Sequence, residues 1–235
     1  MPLMEFSRFR ELRAENDRKA ANEPRFDDGF RRKLEELLYW RRDVRHFSSV
    51  SLPQDRLEET LELACDTAPS VGNSQPWRFI KVSDPEDRHA VVRNFQVSNE
   101  EALRFQARER RQLYASMKLE GLHQAPEQLA VFCNEETKQG HGLGQATMPE
   151  TRRYSVVMAI HTLWLLLRGQ GIGMGWVSIL DPDQLKRDLA VPETWSFVGY
   201  LCIGYPLRAS PVAELEETGW QAREKPAAAI MHEHS

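Results

Sequence analysis

One segment, Tyr154–Arg168, carries apolar side chains on nearly every side of the helix that its spacing predicts. A helix without a polar face has to be buried, either inside its own domain or in a subunit contact. Its most apolar part, Val156–Leu167, is interrupted by His161 and Thr162 and is shorter than the roughly 20 residues that a membrane span needs. The segment therefore predicts a central buried helix in a globular protein and no membrane span.

Strand-like and helix-like segments alternate along the rest of the chain. Apolar stripes predict helices around residues 30–38 and 54–64, and Asp-Pro pairs at 84–85 and 181–182 predict two further helix starts. Alternating or continuous apolar runs predict strands at 78–82, 128–133, 176–180 and 197–205. Without internal repeats, this order predicts one domain of the α/β or α+β class.

Length and charge limit the domain organisation and the partners. A chain of 235 residues can bury a large core without disulfides or a structural metal. With 31 basic and 35 acidic side chains the formal charge is −4, which does not favour nucleic-acid binding. Three cysteines without a CxxC pair fit reduced thiols in a cytoplasmic protein. We expect an N-terminal arm at 1–27, one domain at 28–212 and a polar tail at 213–235.

Several kinds of site are not favoured. The glycines at 171, 173 and 175 follow a helix instead of a strand and lack the GxGxxG spacing of a dinucleotide site. The sequence has no GxxxxGK[ST] phosphate loop and no GxSxG nucleophile motif. The seven histidines include no HExxH motif and the cysteines form no cluster, so no metal site is predicted.

The run RRDVR at 41–45 is the first candidate site. Guanidinium groups close together can hold a phosphate through paired hydrogen bonds. Taken alone, the run also fits a charged helix end in which Asp43 only pairs with its neighbours. Arg208 follows the last predicted strand and offers another cation that could reach a phosphate.

The loop APSVGNSQP at 68–76 is the second candidate. It places the polar side chains of Ser70, Asn73 and Gln75 between two prolines. Such a loop suits a flat heteroaromatic ring whose edge alternates hydrogen-bond donors and acceptors. By itself it equally fits a capped surface turn.

Together these segments resemble the flavin-binding nitroreductase family. The likeness rests on the Arg-Arg-x-x-Arg opening at 41–45, the loop APSVGNSQPW at 68–77 and the GYP strand end at 204–206, and it extends over about residues 28–210. It implies an α+β fold with a central mixed sheet flanked by helices. It also implies a domain-entwined homodimer with FMN at the subunit interface.

Three blocks are similar to a subgroup of this family that consumes its flavin, RRDVRHF at 41–47, KLEGLHQAP at 118–126 and GWVSILDP at 175–182. This likeness implies that reduced FMN and O2 give 5,6-dimethylbenzimidazole and a four-carbon sugar phosphate. NAD(P)H would then supply electrons, through a separate flavin reductase. Two alternatives stay open: an ordinary NAD(P)H-dependent nitroreductase that reuses FMN, and a non-catalytic flavin-binding protein.

Ordinary nitroreductases commonly have serine where this chain has Asp43. A carboxylate near a phosphate-bearing ligand meets like-charge repulsion, so its presence suggests a task besides binding. The resemblance implies that Asp43 is a general base or proton relay near the ribityl chain and that Ser178 hydrogen-bonds near the ring. The segment 104–122 matches the region that covers the flavin, although a solvated helix face also fits its charges. The resemblance implies phosphate binding by Arg41, Arg42, Arg45 and Arg208, and flavin contacts by Ser70, Asn73, Gln75 and Asn99.

Overall fold

The computed structural model describes residues 24–53, 55–107, 111, 113–114 and 121–224. The chain divides between Glu36 and Leu37 into two units. In the described part of the first unit, the Asp27 carboxylate caps helix α1 (Asp28–Trp40) by accepting a hydrogen bond of 2.7 Å from the Phe30 amide. The predicted arm lies almost entirely outside the described residues, and the predicted domain limits at 28 and 212 stay a prediction.

Four strands of the second unit form one sheet in the order β1-β2-β4-β3. All pairings between these strands are antiparallel, with β2 and β4 in the middle. The parallel pairing found in the described residues is an isolated bridge between Asp43 and Met174. The sheet predicted to be mixed is therefore parallel at this bridge and antiparallel between its four strands. The strands are β1 (Trp77–Lys81), β2 (Glu127–Asn134), β3 (Gly173–Val177) and β4 (Trp195–Gly204).

Local capping chemistry sets two of the helix starts, as predicted. The Asp84 carboxylate accepts from the Glu86 amide at 2.8 Å, and the Asp181 carboxylate accepts from the Gln184 amide at 3.0 Å, each with a proline in the first turn. None of the described helices is both long enough and apolar enough for a membrane crossing. The helices after α1 are α2 (Arg56–Thr67), α3 (Pro85–Phe105), α4 (Gly121–Gln124), α5 (Thr151–Gly169), α6 (Pro182–Asp188) and α7 (Glu214–Glu217).

The sheet separates two apolar clusters. Along β2, Leu129 and Val131 face the cluster that contains α5 and α2, whereas Ala130 and Phe132 face the cluster that contains α3 and α6. This alternation is the period of two expected for a strand covered on both faces. The sheet with its flanking helices confirms the predicted α+β class.

Helix α5 is buried on one face only. Residues such as Ile160 and Leu163 are fully buried in the core, as predicted. On the opposite face, however, Tyr154, Val157 and Met158 are 55%, 40% and 45% exposed. This helix was also predicted to lie in a subunit contact, and its exposed apolar face offers a surface for such a contact.

The limits predicted for one strand were wrong. The strand predicted at 176–180 begins at Gly173 and ends at Val177, so that Gly173 and Gly175 belong to β3. Helix α3 continues as far as Phe105 and therefore includes the first two residues of the predicted flavin cover. Of the predicted flavin cover at 104–122, residues 108–110, 112 and 115–120 lie outside the described residues.

Candidate active site

A cavity of about 380 Å³ brings together Arg42, Asp43, Arg45 and Arg208. Its walls come from residues 40 and 42–46, from the end of α5 with the start of β3, and from residues 206–218. The side chain of Arg42 joins the first of these walls to the last, since its Nε donates to the backbone oxygen of Pro211 at 2.7 Å. The fold thus assembles three of the four predicted phosphate ligands and the predicted base in one place.

Asp43 receives hydrogen bonds on both carboxylate oxygens. Its Oδ1 accepts from the backbone amide of Trp176 at 2.9 Å, and its Oδ2 accepts from Nε of Arg45 at 3.3 Å. Burial raises the pKa of Asp43 above its ordinary value; the Trp176 amide and Arg45 oppose this rise, and Glu214 adds to it. A carboxylate whose pKa is raised binds a proton more readily than an exposed one, which suits a proton-transfer role.

Two glycines of β3 make room for the residues around Asp43. The amide of Val44 donates to the backbone oxygen of Met174 at 3.2 Å, which brings the two backbones side by side. A Cβ on Gly175 would lie 2.1 Å from the Val44 oxygen, and one on Gly173 would lie 2.8 Å from Cγ2 of Val44. Only glycine permits such an approach without a shift of the backbone.

Arg41, the fourth predicted phosphate ligand, is directed elsewhere. Its guanidinium carbon lies 4.6 Å from the centre of the Trp164 ring, in a cation–π contact. Burial lowers the pKa of Arg41 from its usual value, and Asp43 opposes this change. Arg41 is not a lining residue of the cavity, although Trp164 is.

The predicted flavin loop lies away from this cavity. Ser70 Oγ accepts from the Gln75 amide at 3.2 Å, and Gln139 Nε2 donates to the Asn73 oxygen and to Gln75 Oε1, at 2.9 Å each. Asn73 and Gln75 both have positive φ, of 54° and 43°, an uncommon conformation that is concentrated at functional turns. None of Ser70, Asn73 and Gln75 lines the cavity, so one chain alone does not join the two candidate sites.

Ser178 and Asn99 are placed outside the cavity as well. Ser178 is exposed directly after β3, two residues beyond the Trp176 amide that binds Asp43, and Asn99 is partly buried on α3. The turn after Ser178 is fixed by Asn94, which donates to the Asp181 oxygen at 2.9 Å and accepts from the Asp181 amide at 2.7 Å. The roles of Ser178 and Asn99 stay predictions.

We expect Asn94→Ala to lower the free energy of unfolding by about 2–3 kcal/mol, because it removes three hydrogen bonds at a buried position, two with Asp181 and one from the Ser98 hydroxyl. Urea denaturation measures the change. The control is Gln96→Ala, at an exposed position of the same helix, which should stay within about 0.5 kcal/mol of the parent protein. Equal stability of the two variants would contradict the assignment of Asn94 as the anchor of this turn.

No site role was predicted from the sequence for Gly173, Gly175, Glu214 or Glu217. Two glycines at alternate positions indicate a strand face that another backbone approaches closely. The structural role of Gly173 and Gly175 could therefore have been predicted from the sequence. Two carboxylates three residues apart signal a shared helix face, but not what that face meets.

The nitroreductase family model matches residues 38–205, which is more than half of the chain. The chain belongs to the nitroreductase family. The family resemblance inferred from the sequence motifs is thereby confirmed.

Two relatives cover most of the chain. The 5,6-dimethylbenzimidazole synthase of Rhodospirillum rubrum is 56% identical over 200 residues, which are 85% of this chain and 94% of that protein. A protein of the same name from Rhodobacter capsulatus is 45% identical over 83% of this chain and 94% of its own length. The likeness to proteins named 5,6-dimethylbenzimidazole synthase therefore extends over nearly the whole length of these relatives.

Solved structures confirm the fold. Iodotyrosine deiodinase bound to FMN and 3-iodo-L-tyrosine superimposes with a TM-score of 0.67 at 24% identity, over 86% of this chain and 99% of that chain. An FMN complex of a nitroreductase-like protein from Exiguobacterium sibiricum gives a TM-score of 0.63 at 15% identity, over 85% and 96% of the two chains. At these identities the likeness shows the nitroreductase-like fold.

Proposed function

We propose that this chain is an enzyme that uses O2 to cleave reduced FMN into 5,6-dimethylbenzimidazole and a four-carbon sugar phosphate. The observation that carries the proposal is the Asp43 carboxylate, hydrogen-bonded by Trp176 and Arg45 inside an arginine-lined cavity. An enzyme that only holds a reusable flavin gains nothing from a carboxylate at this point, because the charge repels phosphate. The relatives from Rhodospirillum rubrum and Rhodobacter capsulatus are named for the formation of 5,6-dimethylbenzimidazole, which supports the product of the proposed reaction.

The cavity fits the phosphate end of FMN. Guanidinium groups of Arg42, Arg45 and Arg208 present N–H donors of the kind that phosphate accepts in pairs. Trp164 also lines the cavity, and its Nε1 is buried without a hydrogen-bond partner in the described part of the chain. A volume of about 380 Å³ is within the range of small-molecule sites.

FMN enters this proposal as the substrate, and with O2 it supplies the oxidative chemistry and the carbon atoms of the product. The C1′ carbon of the ribityl chain becomes C2 of the benzimidazole, so the bond between C1′ and C2′ must break. Asp43 accepts a proton near this chain, and Ser178 hydrogen-bonds near the ring.

The proposal includes a homodimer. The flavin loop of one chain does not reach its own cavity, and α5 presents the exposed apolar side chains of Tyr154, Val157 and Met158. Burial of such a face in a symmetric contact is a common route to dimers. A second copy could then bring its Ser70, Asn73, Gln75 and Asn99 to the arginine cavity of the first.

A mixing experiment tests the shared site. We expect Arg45→Ala and Gln75→Ala to be inactive separately, and co-expression of the two to restore about a quarter of the wild-type rate, since random pairing leaves one intact site in each heterodimer. Co-expression of Arg45→Ala with Arg42→Ala is the control and should restore nothing, because both substitutions fall on the same side of the site. Equal recovery from both pairs, or from neither, would contradict the shared site.

The reaction itself is tested with purified protein, FMN, NAD(P)H, a flavin reductase and air, followed by mass detection of 5,6-dimethylbenzimidazole. The proposal predicts product and an equivalent loss of FMN. Because NAD(P)H serves only to reduce FMN, chemically reduced FMN should make both NAD(P)H and the reductase unnecessary. The proposal includes a cytoplasmic location, where NAD(P)H and a flavin reductase are available. Steady reduction of a nitroaromatic compound with FMN conserved would favour the ordinary nitroreductase, and FMN binding without O2 uptake would favour a non-catalytic protein.

A further inference from the structure

A single segment, residues 209–218, contacts three of the four arginines that line the cavity, Arg42, Arg45 and Arg208. We call it the acidic strap. Its Pro211 oxygen accepts from Nε of Arg42 at 2.7 Å, and two of its three carboxylates approach Arg45 and Arg208. Glu214 Oε1 lies 4.0 Å from a terminal nitrogen of Arg45, and Glu217 Oε1 accepts from a terminal nitrogen of Arg208 at 3.0 Å.

The local structure of the strap fixes where its carboxylates point. Helix α7 (Glu214–Glu217) is one turn long, so residues three apart share a face. Ser210 Oγ donates to Glu217 Oε1 at 2.7 Å, which holds this side chain from the other end of the strap. The side chains of Glu214 and Glu217 are 33% and 26% exposed, and both line the cavity.

These contacts use the donors that a phosphate would use. A carboxylate and a phosphate both accept charge-assisted hydrogen bonds from guanidinium groups, and they repel each other at close range. We propose that Glu214 and Glu217 compete with the substrate phosphate for Arg45 and Arg208 and so set how tightly, and for how long, the cavity holds a phosphorylated ligand.

This inference rests on the proposed function and gives the competition a purpose. An enzyme that consumes FMN must exchange a phosphate-bearing product for new substrate in every turnover. Internal carboxylates that replace the departing phosphate oxygens lower the barrier to that release, at the expense of affinity. A protein that retains one FMN through many cycles would have no such need.

The test compares the Glu214→Gln/Glu217→Gln variant with a Glu136→Gln/Glu193→Gln control, which removes two exposed carboxylates that do not line the cavity. Affinities for FMN and for riboflavin, which lacks the phosphate, are measured by flavin fluorescence at one ionic strength. We expect the strap variant to bind FMN about tenfold more tightly, with riboflavin affinity unchanged. Inorganic phosphate should also displace FMN from it less readily at equal concentrations.

The outcomes separate this inference from the proposed function. Unchanged or weaker FMN binding by the strap variant, in a protein that still prefers FMN to riboflavin, would overturn the competition and leave the phosphate site standing. Equal affinity of the parent protein for FMN and riboflavin would instead overturn the phosphate site itself. Should the double variant fail to fold, Glu217→Gln alone is measured; it should tighten FMN binding, and no change would again overturn the competition.

Discussion

The Asp43→Asn variant is expected to form 5,6-dimethylbenzimidazole about 10²–10⁴-fold more slowly than the parent protein, the usual range for loss of a general base. Asparagine keeps an oxygen that can accept from the Trp176 amide, so the surrounding backbone is retained. It cannot accept a proton at neutral pH. Affinity for FMN should stay the same or rise, because a negative charge leaves the cavity.

Product formation by mass and FMN affinity by fluorescence are measured on the same preparation. A second variant, Asp43→Ser, installs the residue that ordinary nitroreductases commonly carry, and it too should bind FMN without forming product. If Asp43→Asn yields product at the parent rate, Asp43 has no part in the proton transfer and the proposed function loses its main support.

Although Asp43→Asn should lower activity, it should not lower the stability of the fold. Burial holds the pKa of Asp43 above its ordinary value, so at neutral pH the ionised group is less favourable in the folded than in the unfolded chain. This penalty applies above the raised folded pKa and fades as the pH falls to the ordinary value. We therefore expect Asp43→Asn to be at least as stable as the parent protein near pH 7, with the difference shrinking in acid. Thermal melts across that pH range measure it.

The parts of the fold that depend on local chemistry could be predicted from the sequence. The capped starts at Asp84 and Asp181 involve atoms within three residues of each other, so the motif alone specifies them. The order β1-β2-β4-β3 depends on which strands meet after long connections, and periodicity does not encode that choice. The start of β3 was missed because glycine is generally unfavourable in strands. Here the close contact with Val44 requires glycine at positions 173 and 175.

The site follows the same division. Three arginines fall within residues 41–45, so their charge density is visible in the sequence, and the structure places two of them at the cavity. The direction of Arg41 toward Trp164 depends on tertiary packing and could not be predicted from spacing. The position of the acidic strap also depends on tertiary packing. Its cavity-lining carboxylates, Glu214 and Glu217, lie in the segment predicted to be a polar tail.

Gly175→Ala is expected to disrupt both the fold and the site. The added Cβ would lie 2.1 Å from the backbone oxygen of Val44, a distance that no rotamer change relieves because the backbone fixes the position of both atoms. Separation of the two backbones strains the Val44–Met174 hydrogen bond and draws Asp43 away from the neighbouring Trp176 amide. We expect a loss of about 3 kcal/mol or more of unfolding free energy.

The matched control is Gly169→Ala, at the last residue of α5, where an added Cβ meets no atom within 4 Å. Alanine favours a helix over glycine, so this variant should be as stable as the parent protein or more stable by up to about 1 kcal/mol. Denaturant unfolding compares the two. Retention of full stability and product formation by Gly175→Ala would show that β3 and the arginine segment do not need this close approach, and the geometry proposed for Asp43 would then lose its structural basis.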